Sequence, residues 1–124
     1  MNKKEIGFLA EELVKSYLLK SKYEILERNY RTKFGEIDII AYDRIDDAIV
    51  FVEVRYRSDS SYGSPQETVN YYKQLKIINS ALVYIKNKNL KEVNYRFDII
   101  SVTEDNKIEH IKNAFVPSNK LIYF

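Results

Sequence analysis

Two acids sit where acids are costly. Asp38 lies between Ile37 and Ile39 in the segment GEIDIIA that opens at Gly35, and Glu53 lies between Val52 and Val54 in an apolar run that starts at Ala48. An ionised carboxylate enters such surroundings only with a cation or a proton to accompany it. Residues two apart in a strand share a face, which groups Glu36, Asp38 and Ile40 against Ile37, Ile39 and Ala41, and sets Glu53 beside Phe51 and Arg55. If the two segments are neighbouring strands, Asp38 and Glu53 converge, with Arg55 one step along. Paired carboxylate oxygens suit Mg²⁺ or Mn²⁺, which keep several waters and leave room for a substrate phosphate. Such an ion activates water and stabilises charge on a phosphodiester oxygen, so the chemistry expected is phosphodiester hydrolysis. The plainer reading is a solvated strand face with a salt bridge from Arg55.

The elements that must bring these residues together are legible in the hydropathy pattern. Ile6, Leu9, Ala10, Leu13, Val14, Tyr17 and Leu18 recur at i, i+3, i+4, i+7 and predict an amphipathic first helix. A short strand is expected over Glu24 to Tyr30, then the strand opened by Gly35, a polar connection YDRIDD, and a strand from Ala48 to Arg57 that pairs with it as a hairpin. After the loop SDSSYGS, the residues Ser64, Pro65, Gln66 and Glu67 have the form of a capping box. They predict a second helix to about Lys86 with Tyr71, Leu75, Ile78, Leu82 and Ile85 on one face and Lys73 and Lys76 off it. VNYRFDIISV alternates as a strand, TEDNK is a turn, IEHI a last strand, and AFVPSNKLIYF a tail of unassigned structure. The expected fold is α/β in the order α-β-β-β-α-β-β, as one domain over 1–124.

Composition narrows the class. At 124 residues the chain is long enough to bury a core unaided, and its 45% hydrophobic content with 11 Tyr and 6 Phe opposes disorder. A net charge of +2 means that any nucleic-acid footprint is local. The absence of cysteine excludes disulfides, thiol catalysis and cysteine-ligated zinc, and favours a cytoplasmic location. No segment has the length of a membrane span or a secretory core, so no membrane association is expected.

Other polar residues have two readings each. Arg28, Arg31 and Lys33 form either a basic rim for a nucleic-acid backbone or a solvated loop. Lys73 and Lys76 are solvated helix lysines unless they turn towards the acids. Glu36 joins the site or pairs with Arg28 or Arg31. Arg96 and Asp98 share a strand face and read as an internal ion pair, and His110, the single histidine, reads as structural.

The residues GEIDIIA and VFVEVRYR, preceded by AEELVKSYLLKSKYEILERNYR and followed by YGSPQETVNYYKQLKIINSALVYI and YRFDIISV, resemble the bacterial YraN-like uncharacterised protein family, UPF0102, over nearly the whole chain. That family is similar to a branch of the PD-(D/E)xK restriction-endonuclease-like superfamily near the archaeal Holliday junction resolvases. The resemblance implies a restriction-endonuclease-like three-layer fold, a central mixed sheet flanked by helices, and a divalent-metal site. It places the superfamily aspartate on Asp38, its second acid on Glu53, its lysine on Arg55, a helix-one glutamate on Glu11 and a phosphate contact on Lys73. The helical pattern alone leaves Glu11 and Glu12 equivalent. Arg55 departs from the superfamily lysine, because an arginine stays protonated and stabilises charge but cannot act as a base.

Together these readings give a Mg²⁺- or Mn²⁺-dependent nuclease with Asp38, Glu53 and Glu11 as metal ligands and Arg55 as phosphate stabiliser, acting on nucleic acid, DNA above all, branched or single-stranded. Its rival is a non-catalytic nucleic-acid-binding or protein-interaction module on the same fold. An enzyme acting on two strands needs two sites, so a homodimer is a reasonable expectation.

Overall fold

The computed structural model describes residues 1–58 and 68–117. Helix α1 spans Lys3–Lys20, strands β1, β2 and β3 span Tyr23–Thr32, Gly35–Asp43 and Ala48–Arg57, helix α2 spans Tyr71–Asn87, and strands β4 and β5 span Tyr95–Thr103 and Ile108–Phe115. The five strands form one sheet in the order β1-β2-β3-β4-β5. Every pairing is antiparallel except β3 with β4, which α2 connects as a crossover. The sheet is therefore mixed, as expected.

Each face of the sheet carries one helix. Ala10, Val14 and Leu18 of α1 pack on Ile39, Ala41, Val50, Val52, Ile100 and Val102. Ile77, Ile78, Ala81 and Tyr84 of α2 pack on Ile37, Ile40, Ile49, Phe51, Phe97 and Ile99. The central strand β3 is covered on both sides, which explains why AIVFVEV reads as a continuous apolar run and not as an alternation. Truncating a side chain such as Ile77 inside this core costs about 2–5 kcal/mol.

α1 follows its sequence pattern closely, with Asn2 as the cap accepting from the Glu5 N–H at 2.9 Å. α2 does not. Its cap is Asn70, whose side chain accepts from the Lys73 N–H at 3.0 Å, so the helix begins at Tyr71; the capping-box residues Ser64 to Glu67 lie outside the described residues. Its inner face is also rotated from the one expected. The expected Ile78 is buried and Leu82 and Ile85 flank the core, but the buried positions also include Ile77, Ala81 and Tyr84 on a stripe of their own, and Tyr71 is exposed. Lys73, one turn before Ile77, lies at the end of this buried stripe and not off it.

Two further differences concern the strands. β5 continues past the expected IEHI and takes in Ala114 and Phe115, because Phe115 stacks on Phe97 with ring centroids 5.2 Å apart. In β2 the strict alternation fails around Asp38: Ile37 packs with Ile40 on the α2 side, while Ile39 and Ala41 pack on the α1 side. Facing Asp38 on β1 is Asn29 at φ +51°, a conformation that Asn tolerates better than most residues.

A buried polar network ties the far end of the sheet together. Arg96 meets Asp98 at 3.0 Å and Asp43 at 2.9 Å, and it donates to the Tyr23 hydroxyl at 2.7 Å. His110 links the Tyr17 hydroxyl and the Asp98 carboxylate, each at 2.7 Å. The Arg96–Asp98 pair is thus internal, and His110 is part of the scaffold. Burial raises the Asp98 pKa, but His110, Arg96 and the Asn113 N–H outweigh it and hold the carboxyl below its ordinary range.

Candidate metal and phosphate site

β2 and β3 part company at the acids. Their ladder ends at Ile39 opposite Val52, after which β2 stays paired with β1 through Tyr30–Ile37 and Arg31–Glu36, and β3 stays paired with β4 through Glu53–Ile99 and Val54–Ile100. The result is a notch between two central strands. Asp38 closes its upper edge: in place of a backbone carbonyl, its Oδ2 accepts from the Val54 N–H at 2.8 Å. The local break in alternation is what turns Asp38 towards β3.

Glu53 faces the same notch and is only 4% exposed. Its carboxyl and that of Asp38 are close enough to share a hydrogen bond. Burial raises both pKa values. For Asp38, the Val54 N–H, the hydrogen bond with Glu53 and the Lys73 ammonium act against the rise. For Glu53, the Asp38 charge adds to burial, and although Lys73 and Arg55 oppose it the carboxyl is pushed up to about 8. Burial and the neighbouring Asp38 charge thus favour the protonated form of Glu53, the usual resolution of two carboxyls confined together. Among the described residues no donor reaches Glu53 Oε1.

Two cations flank the pair. Arg55 Nε lies 3.5 Å from Glu53 Oε2, and its Nη2 donates to the Thr68 carbonyl at 3.0 Å, so the guanidinium joins the acid to the segment entering α2. Lys73 Nζ lies 3.8 Å from the same Glu53 oxygen. α2 reaches the notch from one face of the sheet and α1 from the other.

Glu11 approaches from α1. Its two carboxylate oxygens accept from the Asn29 amide at 3.1 and 3.3 Å, Arg28 lies 3.8 Å away, and burial followed by the Asp38 charge raises its pKa. Glu12 instead pairs with Arg28 at 2.7 Å. The tertiary structure thus separates two glutamates that the helical pattern left equivalent. Even so, among the described residues no group of three or more acids or histidines is gathered closely enough to hold a metal, so the adjacent donors are Asp38 and Glu53, with Glu11 set back.

The remaining basic residues divide. Arg28 is engaged by Glu11 and Glu12. Arg31, whose side chain is 82% exposed, makes a 3.5 Å ion pair with Glu36. Lys33 lies over the Phe34 ring at 5.2 Å from its centroid. Lys76 is exposed, with its stem against Gly35, where an added Cβ would meet Lys76 Cβ at 3.3 Å and the backbone φ of +154° disfavours any side chain. Sequence reasoning overlooked Asn29, which orients Glu11, and the backbone groups of Val54 and Thr68. A polar Asn inside a strand is a faint signal for Asn29, and backbone donors leave none.

Two hard oxygen donors, one with an orphaned buried atom, fit Mg²⁺ or Mn²⁺, since a cation would replace the Glu53 proton and use that atom. Among the described residues no helix is long and apolar enough to cross a membrane.

The chain is similar to a set of bacterial proteins over most of its length. The model of the Uncharacterised protein family UPF0102 matches residues 10–102. A UPF0102 protein of Caldanaerobacter subterraneus is 44% identical over 121 residues, covering 93% of this chain and 98% of the relative. One from Clostridioides difficile is 47% identical over 116 residues, covering 93% and 100%, and one from Thermodesulfovibrio yellowstonii is 50% identical over 111 residues, covering 90% and 96%. Glu11, Asp38, Glu53, Arg55 and Lys73 all fall inside the matched stretch, and the chain belongs to the UPF0102 family of uncharacterised proteins.

Proposed function

We propose that this protein is a metal-dependent nuclease that hydrolyses phosphodiester bonds in nucleic acid, with DNA the first substrate to test. The observation that carries the reading is the confinement of two carboxyls, the buried Glu53 and the half-buried Asp38, in the notch between β2 and β3, beside Arg55 and Lys73. The resemblance to PD-(D/E)xK nucleases supports it independently.

Asp38 and Glu53 would hold Mg²⁺ or Mn²⁺, Asp38 in the orientation fixed by the Val54 N–H. The bound ion supplies a water of lowered pKa and stabilises charge on the phosphodiester oxygens. Arg55 remains protonated and balances charge on the phosphoryl group, and its bond to the Thr68 carbonyl anchors the guanidinium beside Glu53. Lys73 provides a second phosphate contact. Glu11, more open than Glu53, would accept the proton of the attacking water as the new P–O bond forms, and the leaving ester oxygen takes a proton from solvent as its bond to phosphorus breaks. Cutting both strands of a branched substrate would require two such sites, which a homodimer supplies.

The test is incubation with single-stranded, duplex and branched DNA, and with RNA, in Mg²⁺ or Mn²⁺. Cleavage that disappears in Asp38→Asn and Glu53→Gln supports the reading, and equal backgrounds in all three proteins refute it. One observation favours a second reading: Arg55 stands where the superfamily has lysine and cannot serve as a base. On that reading the chain is a nucleic-acid-binding or protein-interaction module, and nucleic-acid binding indifferent to chelator and to Asp38→Asn would select the first of these.

A further inference from the structure

The first turn of α2 presents two tyrosines that the core does not use. Tyr72 is 74% exposed and Tyr71 45% exposed, and their rings meet edge to face at 5.7 Å and 77°. Tyr72 lies four residues before Lys76, so the two share one side of the helix, one turn apart. Lys76 in turn lays its stem on Gly35, which follows the β1–β2 turn that carries the exposed Lys33. Exposed aromatic and cationic groups thus run in a continuous strip from α2 to that turn. The residue after Tyr72 is Lys73, whose ammonium sits 3.8 Å from Glu53, so the strip ends at the acid pair.

Aromatic faces interleaved with cations are what an unpaired nucleic-acid strand requires. Its bases stack on rings of any sequence context, and its phosphates track the positive charges. A duplex keeps its bases stacked on each other and offers none to a tyrosine. We infer that Tyr72, braced by Tyr71, is a stacking platform for an unpaired base of a strand whose phosphates pass Lys33 and Lys76 on the way to the acid pair. The platform makes unpaired strands, or the unpaired nucleotides at a branch, the substrate class of the site. This inference rests on the nucleic-acid reading above, but its readout is binding without metal or cleavage.

The experiment measures fluorescence anisotropy of labelled single-stranded DNA, single-stranded RNA of the same sequence, and the matching DNA duplex with the full-length protein in chelator. Wild type binds the single strands more tightly than the duplex. Tyr72→Ala weakens single-strand binding about tenfold or more, Tyr72→Phe restores it, and duplex binding hardly moves. Lys76→Ala weakens all three together and flattens their salt dependence. At its exposure Tyr72 supports no core packing, and unchanged thermal melting of Tyr72→Ala verifies this. The platform is overturned if wild type binds no single strand, if Tyr72→Ala leaves single-strand affinity unchanged or lowers single-strand and duplex binding equally, or if the substitution alters self-association instead. Loss of cleavage with the Tyr72 dependence intact would remove the nuclease and keep the platform; cleavage without that dependence would do the reverse.

Discussion

The Asp38 carboxylate accepts the Val54 backbone N–H at 2.8 Å, on the far side of a ladder that has already ended. A side chain does there what a carbonyl does elsewhere in the sheet, and so an acid is held inside a central strand with no ion-pair partner among the described residues. Glu53, adjacent to Val54 in the chain, is brought against it by the same bond. The site is a consequence of how two strands separate.

That geometry has a stability cost whose sign can be measured. Glu53 ordinarily ionises near 4.5 and in the fold near 8, so the folded state holds a proton that the unfolded chain has released. Stability is lost as pH rises through this interval. In metal-free buffer Glu53→Gln melts higher than wild type at pH 8, by roughly 4 °C for each kcal/mol regained, and the gap narrows towards pH 5. Calorimetric melting across this range checks it, and a pH-independent gap contradicts it.

In the proposed mechanism Arg55 acts on charge and not on proton transfer. Arg55→Ala should lower cleavage about 100-fold while leaving Mn²⁺ affinity within a few-fold of wild type, because the ligands remain. Single-turnover kinetics alongside Mn²⁺ titration separates the two effects.

Asn29 positions Glu11 from a backbone at φ +51°. Asn29→Gly keeps that backbone accessible and removes the amide, so it should reduce cleavage about tenfold with little loss of stability. Asn29→Ala adds about 1 kcal/mol of backbone strain. Comparing urea midpoints and cleavage rates of the two variants distinguishes the positioning role from a structural one.

In the Arg96–Asp98–His110 network the sign of the pH effect reverses. Asp98 is held below its ordinary pKa by His110, Arg96 and the Asn113 N–H despite its burial, so its contribution is present above pH 4 and is lost as pH falls through the folded value. Asp98→Asn leaves Arg96 undercompensated and should cost about 3–5 kcal/mol at neutral pH. The deficit relative to wild type shrinks in acid, which denaturant unfolding at pH 7 and pH 3 reveals.

Much of this was readable from residue order. The i, i+3, i+4 stripe of α1, the buried run of β3 and the pairing of Arg96 with Asp98 follow from periodicity, because each is a local pattern facing one core. The approach of Asp38 to Glu53 was also anticipated, though through strict alternation of β2, and the actual route is a local break in that alternation. What escaped was carried by backbone or by distance. The start of α2 at Tyr71 hangs on Asn70, whose pattern lacks the acid of a capping box, while the signal at Ser64 to Glu67 lies outside the described residues. Asn29 and Glu11 are 18 positions apart, and nothing in either neighbourhood announces the other.

The central claim is that Asp38 and Glu53 form one cation site. Anomalous scattering from crystals soaked in Mn²⁺ tests it most directly. The expected result is a peak between the two carboxylates and its loss in Asp38→Asn. A well-ordered pair with no peak at saturating Mn²⁺ would contradict it.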